Sequence, residues 1–311
     1  MIIEGEEIKT ENYVEVKTLK EIRPGRKLMC RKVTINGTSA HSGGDDDSQQ
    51  KQQQHPTILF FIHGSCAASK QYNSLLQSIS KLNNGQKHII CYLYDQLGCG
   101  ESKHNSDDWD AFSSSQMGHD LNVICQSILE TMHNDSSLYI VGHSYGVSQT
   151  IKLLKSIEKD NEKEEGDQSQ SQSSNKLSRV GGAILISGGL KGCPVGGLSK
   201  DGGHWIFRYI PMFVLYKMQP LLSETFVKAA IHPANLSSLK EEALEISNGN
   251  DMAMCKAFYR QQTYADSEDA QSLKVSVVFI HSPLCHYFSR LRCLLARFIY
   301  YLCIRFWRGL I

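Results

Sequence analysis

A serine stands between two glycines in the stretch LYIVGHSYGVS, with Gly142 and Gly146 on either side of Ser144. The apolar run before this G-x-S-x-G pattern predicts a strand, and the residues after it predict a helix. We therefore expect Ser144 on a sharp strand-to-helix bend that projects its oxygen. The helix N-terminus favours negative charge at this point, which suits a serine that acts as a nucleophile.

A second segment, upstream of the serine, also has an apolar strand that leads into a short polar loop. The apolar run FFI is followed by His63, Gly64, Ser65 and Cys66. A strand that ends in such a loop could offer a backbone N–H to an oxyanion. Together the two segments favour a reactive serine, although a chance G-x-S-x-G in a structural turn stays open as the alternative.

The surrounding pattern predicts how these loops are positioned. Continuous apolar runs at 57–63 and 88–95 are typical of buried parallel strands, and segments with helical spacing lie between the runs. This alternation of strands and helices favours an α/β fold with a mostly parallel sheet. An antiparallel hairpin around Pro24-Gly25 is expected over residues 13–35, and a helical cap over residues 188–273.

Four regions follow from these patterns. The hairpin and core would span 1–187, interrupted by polar stretches at about 41–55 and 160–175 that are expected to be disordered because they are too poor in apolar groups to pack. After the cap, residues 274–281 would return to the sheet. The last region, at 282–311, is a divergent basic tail.

Composition excludes several classes of function. The 311-residue chain has a formal net charge of +1, which gives no electrostatic footprint for nucleic acid. Its ten cysteines form no C-x-x-C pair and no metal-ligand spacing, so reduced thiols in a cytoplasmic protein are expected. The start MIIEGEEIKTEN is acidic, unlike a signal sequence. No cofactor or metal is expected.

Four segments in order, FFIHGSCAAS, YDQLGCGES, VGHSYGVS and LISGG, resemble the α/β-hydrolase superfamily. The residues around the serine are most similar to the abhydrolase domain-containing proteins, type eight. The resemblance covers roughly 13–281. It implies a central sheet of eight strands with a helical cap between the sixth and the seventh.

The resemblance also implies roles for individual residues. Ser144 would be the nucleophile, and the backbone N–H groups of Ser65 and Tyr145 would form the oxyanion hole. Gly142 and Gly146 would shape the nucleophile elbow. The segment HGSCAAS departs from the family in carrying less glycine after H-G, which bears on the geometry at Ser65.

Neighbouring residues have simpler interpretations. His143 would point away from the site, and His63 would order the oxyanion loop. Asp95 matches D-x-x-G-x-G-x-S, in which the carboxylate fixes a turn. We interpret Cys66 as a small buried thiol, because the sequence places no histidine beside it.

The resemblance stops near residue 281. Family members continue there as H-G-x-x-D and later supply a catalytic histidine, whereas this chain has HSPLCHY. The triad acid and triad histidine are therefore expected to be absent, and the final strand and helix of the fold to be missing. An alternative or mispredicted C-terminus joined near this point, such as a retained intron or a frame change, is our preferred explanation. Three histidines could approach Ser144 only by accident: His204, His232 and His286.

Two functions are compatible with these sequence features. One is a cytoplasmic serine hydrolase that acts on small-molecule or lipid-like esters or amides through an acyl-enzyme on Ser144. The other is a catalytically inactive variant, regulatory or binding in role, that lacks the acid and histidine. Peripheral membrane contact through the cap or the basic tail is a further hypothesis.

Overall fold

The structure is a computed structural model. It describes residues 6–9, 13–35, 55–104, 108–166, 176–188, 190, 209–231 and 233–280. Within these ranges no helix is both long and apolar enough to cross a lipid bilayer.

A central sheet of eight strands organises the described residues, in the order β1-β2-β3-β5-β4-β6-β7-β8. The first three strands and β5 pair in antiparallel fashion, and β5, β4, β6, β7 and β8 are mutually parallel. The strands are β1 (Glu6–Lys9), β2 (Val14–Arg23), β3 (Arg26–Ile35), β4 (Thr57–Ile62), β5 (Ile89–Tyr94), β6 (Leu138–His143), β7 (Val180–Ile186) and β8 (Val277–Ile280).

Helices connect the parallel strands and follow β7 as a cap. The connecting helices are α1 (Asn73–Asn83), α2 (Ser114–Thr131) and α3 (Tyr145–Gly166). The cap helices are α4 (Met212–Ala230), α5 (Leu236–Asn248), α6 (Met252–Gln261) and α7 (Ser267–Gln271).

Side chains of the central strands alternate between two buried layers. On β4, Phe60 belongs to the larger core with Ile140 of β6, and Phe61 belongs to the smaller core with Leu76 of α1. Successive residues of a strand point to opposite faces, so a strand covered on both sides must be apolar at every position. This accounts for the continuous apolar runs in the sequence.

The architecture confirms the α/β fold class and the hairpin, and it corrects three details. The cap helices lie between β7 and β8, one strand later than the resemblance implies, because the short polar strand β1 precedes the hairpin. Helix α3 continues to Gly166, into the range 160–175 that was expected to be disordered. The return strand is shorter than 274–281, since β8 begins only at Val277.

Several sequence predictions lie outside the described residues. These include most of the insert at 41–55, the rest of the insert at 160–175, and the tail at 282–311.

Candidate active site

Ser144 occupies a tight bend between β6 and α3. Its φ angle is 55°, in the left-handed region that residues other than glycine adopt rarely. The backbone around it is held by hydrogen bonds: the Ser144 N–H donates to the Ile186 carbonyl at 2.9 Å, and the Val147 N–H donates to the Ser144 carbonyl at 3.1 Å. The predicted location on a strand-to-helix bend is therefore what the structure shows.

The two glycines of the pattern allow β4, β6 and α3 to approach one another. A Cβ atom on Gly146 would overlap the carbonyl oxygen of Ile62 at the end of β4. A Cβ on Gly142 would lie 2.5 Å from Oγ1 of Thr150 and 2.7 Å from the Gly146 carbonyl oxygen. Any side chain at these positions would push the nucleophile strand and its helix apart.

The loop after β4 lies directly against the serine. A Cβ added to Gly64 would lie 2.9 Å from Ser144 Cβ and 3.3 Å from its Oγ. Ser65 is the next residue, and Cys66 after it has a φ of 49°. The Cys66 carbonyl accepts a 2.5 Å hydrogen bond from Asn250 Nδ2 of the cap. The loop is thus packed on the nucleophile at one end and fixed by the cap at the other.

His63 is fully buried and both of its ring nitrogens are used. The Gln96 N–H donates to Nε2 at 2.9 Å, so Nε2 must be the unprotonated nitrogen. The proton on Nδ1 is then donated to the Gly64 carbonyl at 2.8 Å. Burial lowers the pKa of His63. The ring orders the loop beside Ser144, as predicted, and is not placed to act as a base.

Tyr145, the second candidate for the oxyanion hole, is locked through its side chain. Its hydroxyl donates to the Thr263 carbonyl at 3.0 Å and lies 2.9 Å from Ser114 Oγ. The ring makes edge contacts with Phe258 and Tyr264, at centroid distances of 4.9 and 5.4 Å. Burial raises the pKa of Tyr145 to about 12, so the phenol stays neutral. These contacts restrict the residue whose N–H would face the oxyanion.

Asp95 fixes the neighbouring turn, as its sequence pattern predicts. Its two carboxylate oxygens accept hydrogen bonds from the N–H groups of Ser69, at 2.7 Å, and Glu101, at 2.8 Å. Ser102 Oγ donates to the Asp95 carbonyl at 2.7 Å. Asp95 therefore joins the segment after the Gly64 loop to the segment after β5.

No histidine in the described ranges hydrogen bonds to Ser144. His143 is adjacent in sequence, but its Nδ1 is buried and has no hydrogen-bond partner. Burial, with a smaller contribution from His63, lowers the pKa of His143 to about 4, so it is neutral near pH 7. The other candidates lie outside the described residues: His204, His232 and His286.

The far side of the site is formed where β7 and β8 end. Ser187 follows β7 with a φ of 49° and donates its N–H to the Ile280 carbonyl at 2.9 Å. Residues 281–311 follow immediately and are not among those described. The expected absence of a triad acid and histidine there stays a prediction.

A large groove reaches Ser114, which contacts the Tyr145 hydroxyl, but Ser144 does not line it. Its volume is about 880 Å³, and it runs along α2, with Lys152 as its lining residue from α3. His119 and Thr263 are also among its lining residues. We do not assign the substrate to this groove, because Ser144 is not among the residues that line it.

Comparisons with known proteins agree with the fold. Residues 53–163 match the profile of the family described as serine aminopeptidase, S33. Similar solved structures include a hydrolase from Pseudomonas aeruginosa PA01, with 10% identity, 93% of this chain and 85% of that chain covered, and a TM-score of 0.53. The chain has the α/β-hydrolase fold.

Two esterases show the same similarity of fold. The esterase EaEST from Exiguobacterium antarcticum is 14% identical, with 86% of this chain and 83% of that chain covered and a TM-score of 0.51. The esterase RhEst1 from Rhodococcus sp. ECU1013 is 14% identical, with 92% and 86% covered and a TM-score of 0.50. No curated protein sequence matches this chain significantly.

The structure also shows a buried residue, Gln96, that sequence reasoning missed. Its side-chain amide donates to the His63 carbonyl at 3.1 Å and to Gln149 Oε1 at 2.9 Å. It thereby links the Gly64 loop to α3, which carries Tyr145. The sequence offered one indication of this role. Gln96 directly follows Asp95, whose carboxylate was predicted to fix a turn, so its side chain was bound to lie near the loops beside Ser144.

Proposed function

We propose that this protein is a serine hydrolase of the α/β-hydrolase superfamily, most similar to the abhydrolase domain-containing proteins, type eight. Ser144 would be its nucleophile and carboxylic esters or amides its substrates. The observation that carries the proposal is the bend at Ser144, with a φ of 55° and Gly64 packed against its side chain. A strained bend of this kind is typical of a nucleophile elbow.

The reaction would proceed in two stages. Ser144 Oγ attacks the substrate carbonyl carbon and loses its proton to a base, and the carbonyl oxygen becomes an oxyanion that accepts hydrogen bonds from the N–H groups of Ser65 and Tyr145. The alcohol or amine then leaves with a proton, which produces an acyl-enzyme. Water adds to the acyl carbon in the second stage and releases the carboxylic acid and free Ser144.

The matched family and the similar structures support this reaction class. The profile match spans 53–163 and therefore includes Ser65, Ser144 and Tyr145. Two of the structurally similar proteins are esterases. At 14% identity this similarity shows the fold alone, so the ester or amide substrate is part of the proposal.

A lipid-like substrate is part of the proposal, and the cap supports it. Helix α4 exposes Phe213, Tyr216 and Leu221, large apolar side chains that suit an acyl chain or a membrane surface. We place the enzyme in the cytoplasm, with peripheral membrane contact through this helix or the basic tail.

An inactive or regulatory form is the second candidate, and one observation favours it. Two described histidines, one next to Ser144 and one at the start of the Gly64 loop, are unsuitable as its base: His63 uses both ring nitrogens, and His143 is a weak base, with a pKa of about 4, whose buried Nδ1 makes no hydrogen bond. Loss of the histidine in a serine hydrolase costs on the order of a millionfold in turnover. Oxyanion hole and binding alone leave roughly 10³ to 10⁴ over water.

A fluorophosphonate probe tests the proposal, because it phosphonylates only an activated serine. We expect a covalent adduct that intact and peptide mass spectrometry locate on Ser144 and that Ser144→Ala abolishes. Ser74→Ala, at an exposed serine of α1, is the matched control and should label as the wild type does. Labelling that persists in Ser144→Ala would contradict the assignment.

The rate separates the two candidates. An active hydrolase should be labelled within minutes and should turn over a short-chain p-nitrophenyl ester with an initial burst. Absence of labelling in a protein with cooperative thermal unfolding would support the inactive form.

A further inference from the structure

Three side chains converge on the surface at the opposite end of the sheet from Ser144. His55 precedes β4, while His133 and Asp135 lie in the turn between α2 and β6. Their donor atoms all lie within 4.8 Å of one another, and among the described residues they form the one group of three or more histidine, cysteine or carboxylate side chains arranged so closely. Two imidazoles and a carboxylate form a donor set that Zn²⁺ prefers.

The distances between donor atoms fit a metal better than a direct ion pair. Asp135 Oδ2 lies 3.3 Å from His55 Nε2 and 3.5 Å from His133 Nδ1. Ligands bound to zinc at about 2.0–2.1 Å in a tetrahedron are separated by about 3.3 Å. A charge-assisted N–H···O hydrogen bond would be shorter, at about 2.7–2.9 Å.

The two rings lie side by side but do not yet face one ion. The imidazoles of His55 and His133 are stacked, with centroids 4.3 Å apart and planes 22° from parallel, and each lone pair lies in its ring plane, so one exposed ring must turn about its side-chain bonds for both nitrogens to reach the metal. The Asp135 N–H donates to His133 Nδ1 over a long 3.3 Å, so this nitrogen presents a lone pair at the turn. A metal ion would take that lone pair in exchange for a weak hydrogen bond.

The backbone that carries the ligands is well anchored. The Ser136 N–H donates to the His133 carbonyl at 3.0 Å and closes the turn. The Arg179 guanidinium donates to the carbonyls of Leu129, at 2.6 Å, and Met132, at 2.8 Å, just before the turn. On the other side, the Ile58 N–H donates to the Ser137 carbonyl at 3.1 Å, which joins the start of β4 to the residue before β6.

We infer that His55, His133 and Asp135 bind a divalent transition metal of the zinc class, with water completing the coordination. Strand β6 separates the turn from Ser144, and its six residues extend for about 20 Å. The metal is therefore structural and fastens the segment before β4 to the turn before β6. This inference is independent of the proposed hydrolase activity.

Cobalt(II) titration of the metal-free protein, followed by visible absorption, tests the inference. We expect one equivalent of Co²⁺ with the d–d bands of a nitrogen and oxygen site and without a thiolate-to-cobalt charge-transfer band. Displacement by Zn²⁺ should bleach these bands and raise the thermal midpoint of the protein. The charge-transfer region must be recorded because the chain also contains ten cysteines, whose thiolates could bind cobalt elsewhere.

Matched variants make the test specific. His55→Gln combined with His133→Gln should lose this equivalent and the zinc-dependent thermal shift, and Asp135→Asn should weaken both. His88→Gln is the control, since His88 lies at the same end of the sheet, directly before β5, and is outside the cluster. Thermal unfolding without metal shows whether each variant is folded. Undiminished cobalt binding by the folded double variant, binding only through thiolates, or no binding by the wild type would overturn the inference.

Discussion

The two sides of the candidate site are built differently. On the nucleophile side, backbone hydrogen bonds hold the bend at Ser144, and buried side chains fix two further segments: His63 holds the Gly64 loop, and Asp95 holds the turn after β5. On the opposite side, β7 and β8 end side by side, and the last three residues of β8 are exposed. The nucleophile side, which we call the rigid side, is held by hydrogen bonds among the described residues, whereas the other, open side ends at Ile280, the last of them.

This difference has a physical cause. The bend at Ser144 and the Gly64 loop are short segments at the ends of adjacent strands, so parallel pairing of β4 with β6 brings them together at once. A triad acid and histidine would come from the chain after β8, beyond the whole cap. A protein can therefore keep a well-formed nucleophile elbow while its proton-transfer partners vary independently.

Gly146→Ala is expected to have the largest effect, because it breaks the rigid side. The new Cβ would overlap the Ile62 carbonyl oxygen and lie 2.9 Å from that of His63, and neither backbone atom can rotate away. We expect a loss of about 3 kcal/mol in the free energy of unfolding, measured by urea denaturation.

Gly118→Ala is the matched control for this substitution. Gly118 lies within α2, and nothing lies within 4 Å of a Cβ built there. Alanine should stabilise that helix by about 0.5–1 kcal/mol. A Gly146→Ala protein as stable as the wild type would show that β4 and α3 can separate without cost.

Sequence alone predicted much of the rigid side. The apolar runs predicted β4, β5 and β6, and the G-x-S-x-G spacing predicted the bend at Ser144, because local sterics and two-sided burial determine these features. Strand β1 was missed, since EEIK is polar and only its pairing with β2 makes it a strand. The group of His55 and His133 was missed as well, because residues far apart in sequence meet there only through the β4–β6 register.

Acid sensitivity provides a second test of the rigid side, through His143. Its pKa is lowered from 6.5 to about 4 in the folded protein, so below pH 6.5 the unfolded chain binds a proton that the folded protein does not. Stability is therefore lost as the pH falls from 6.5 to 4.

His143→Gln cannot bind this proton, and it should lose about 2 kcal/mol less than the wild type over that range. Urea denaturation at several pH values measures the difference, and above pH 7 the two profiles should run parallel. Parallel profiles down to pH 4 would mean that the imidazole is hydrated in the folded protein.

The smallest effect on stability is expected at the open side, from Phe279→Lys. Phe279 pairs with Leu185 of β7 and is 58% exposed, and β8 has no strand on its outer side among the described residues. An exposed apolar edge favours pairing between molecules, and an edge lysine opposes it. We expect the free energy of unfolding to change by no more than about 0.5 kcal/mol while self-association in sedimentation velocity decreases.

Leu82→Lys is the control, because Leu82 is 83% exposed on α1 but lies on no sheet edge, and its substitution should leave association unchanged. If Phe279→Lys instead lowered stability by about 2 kcal/mol without changing association, residues 281–311 would have to cover β8, and the two sides of the site would be equally well built.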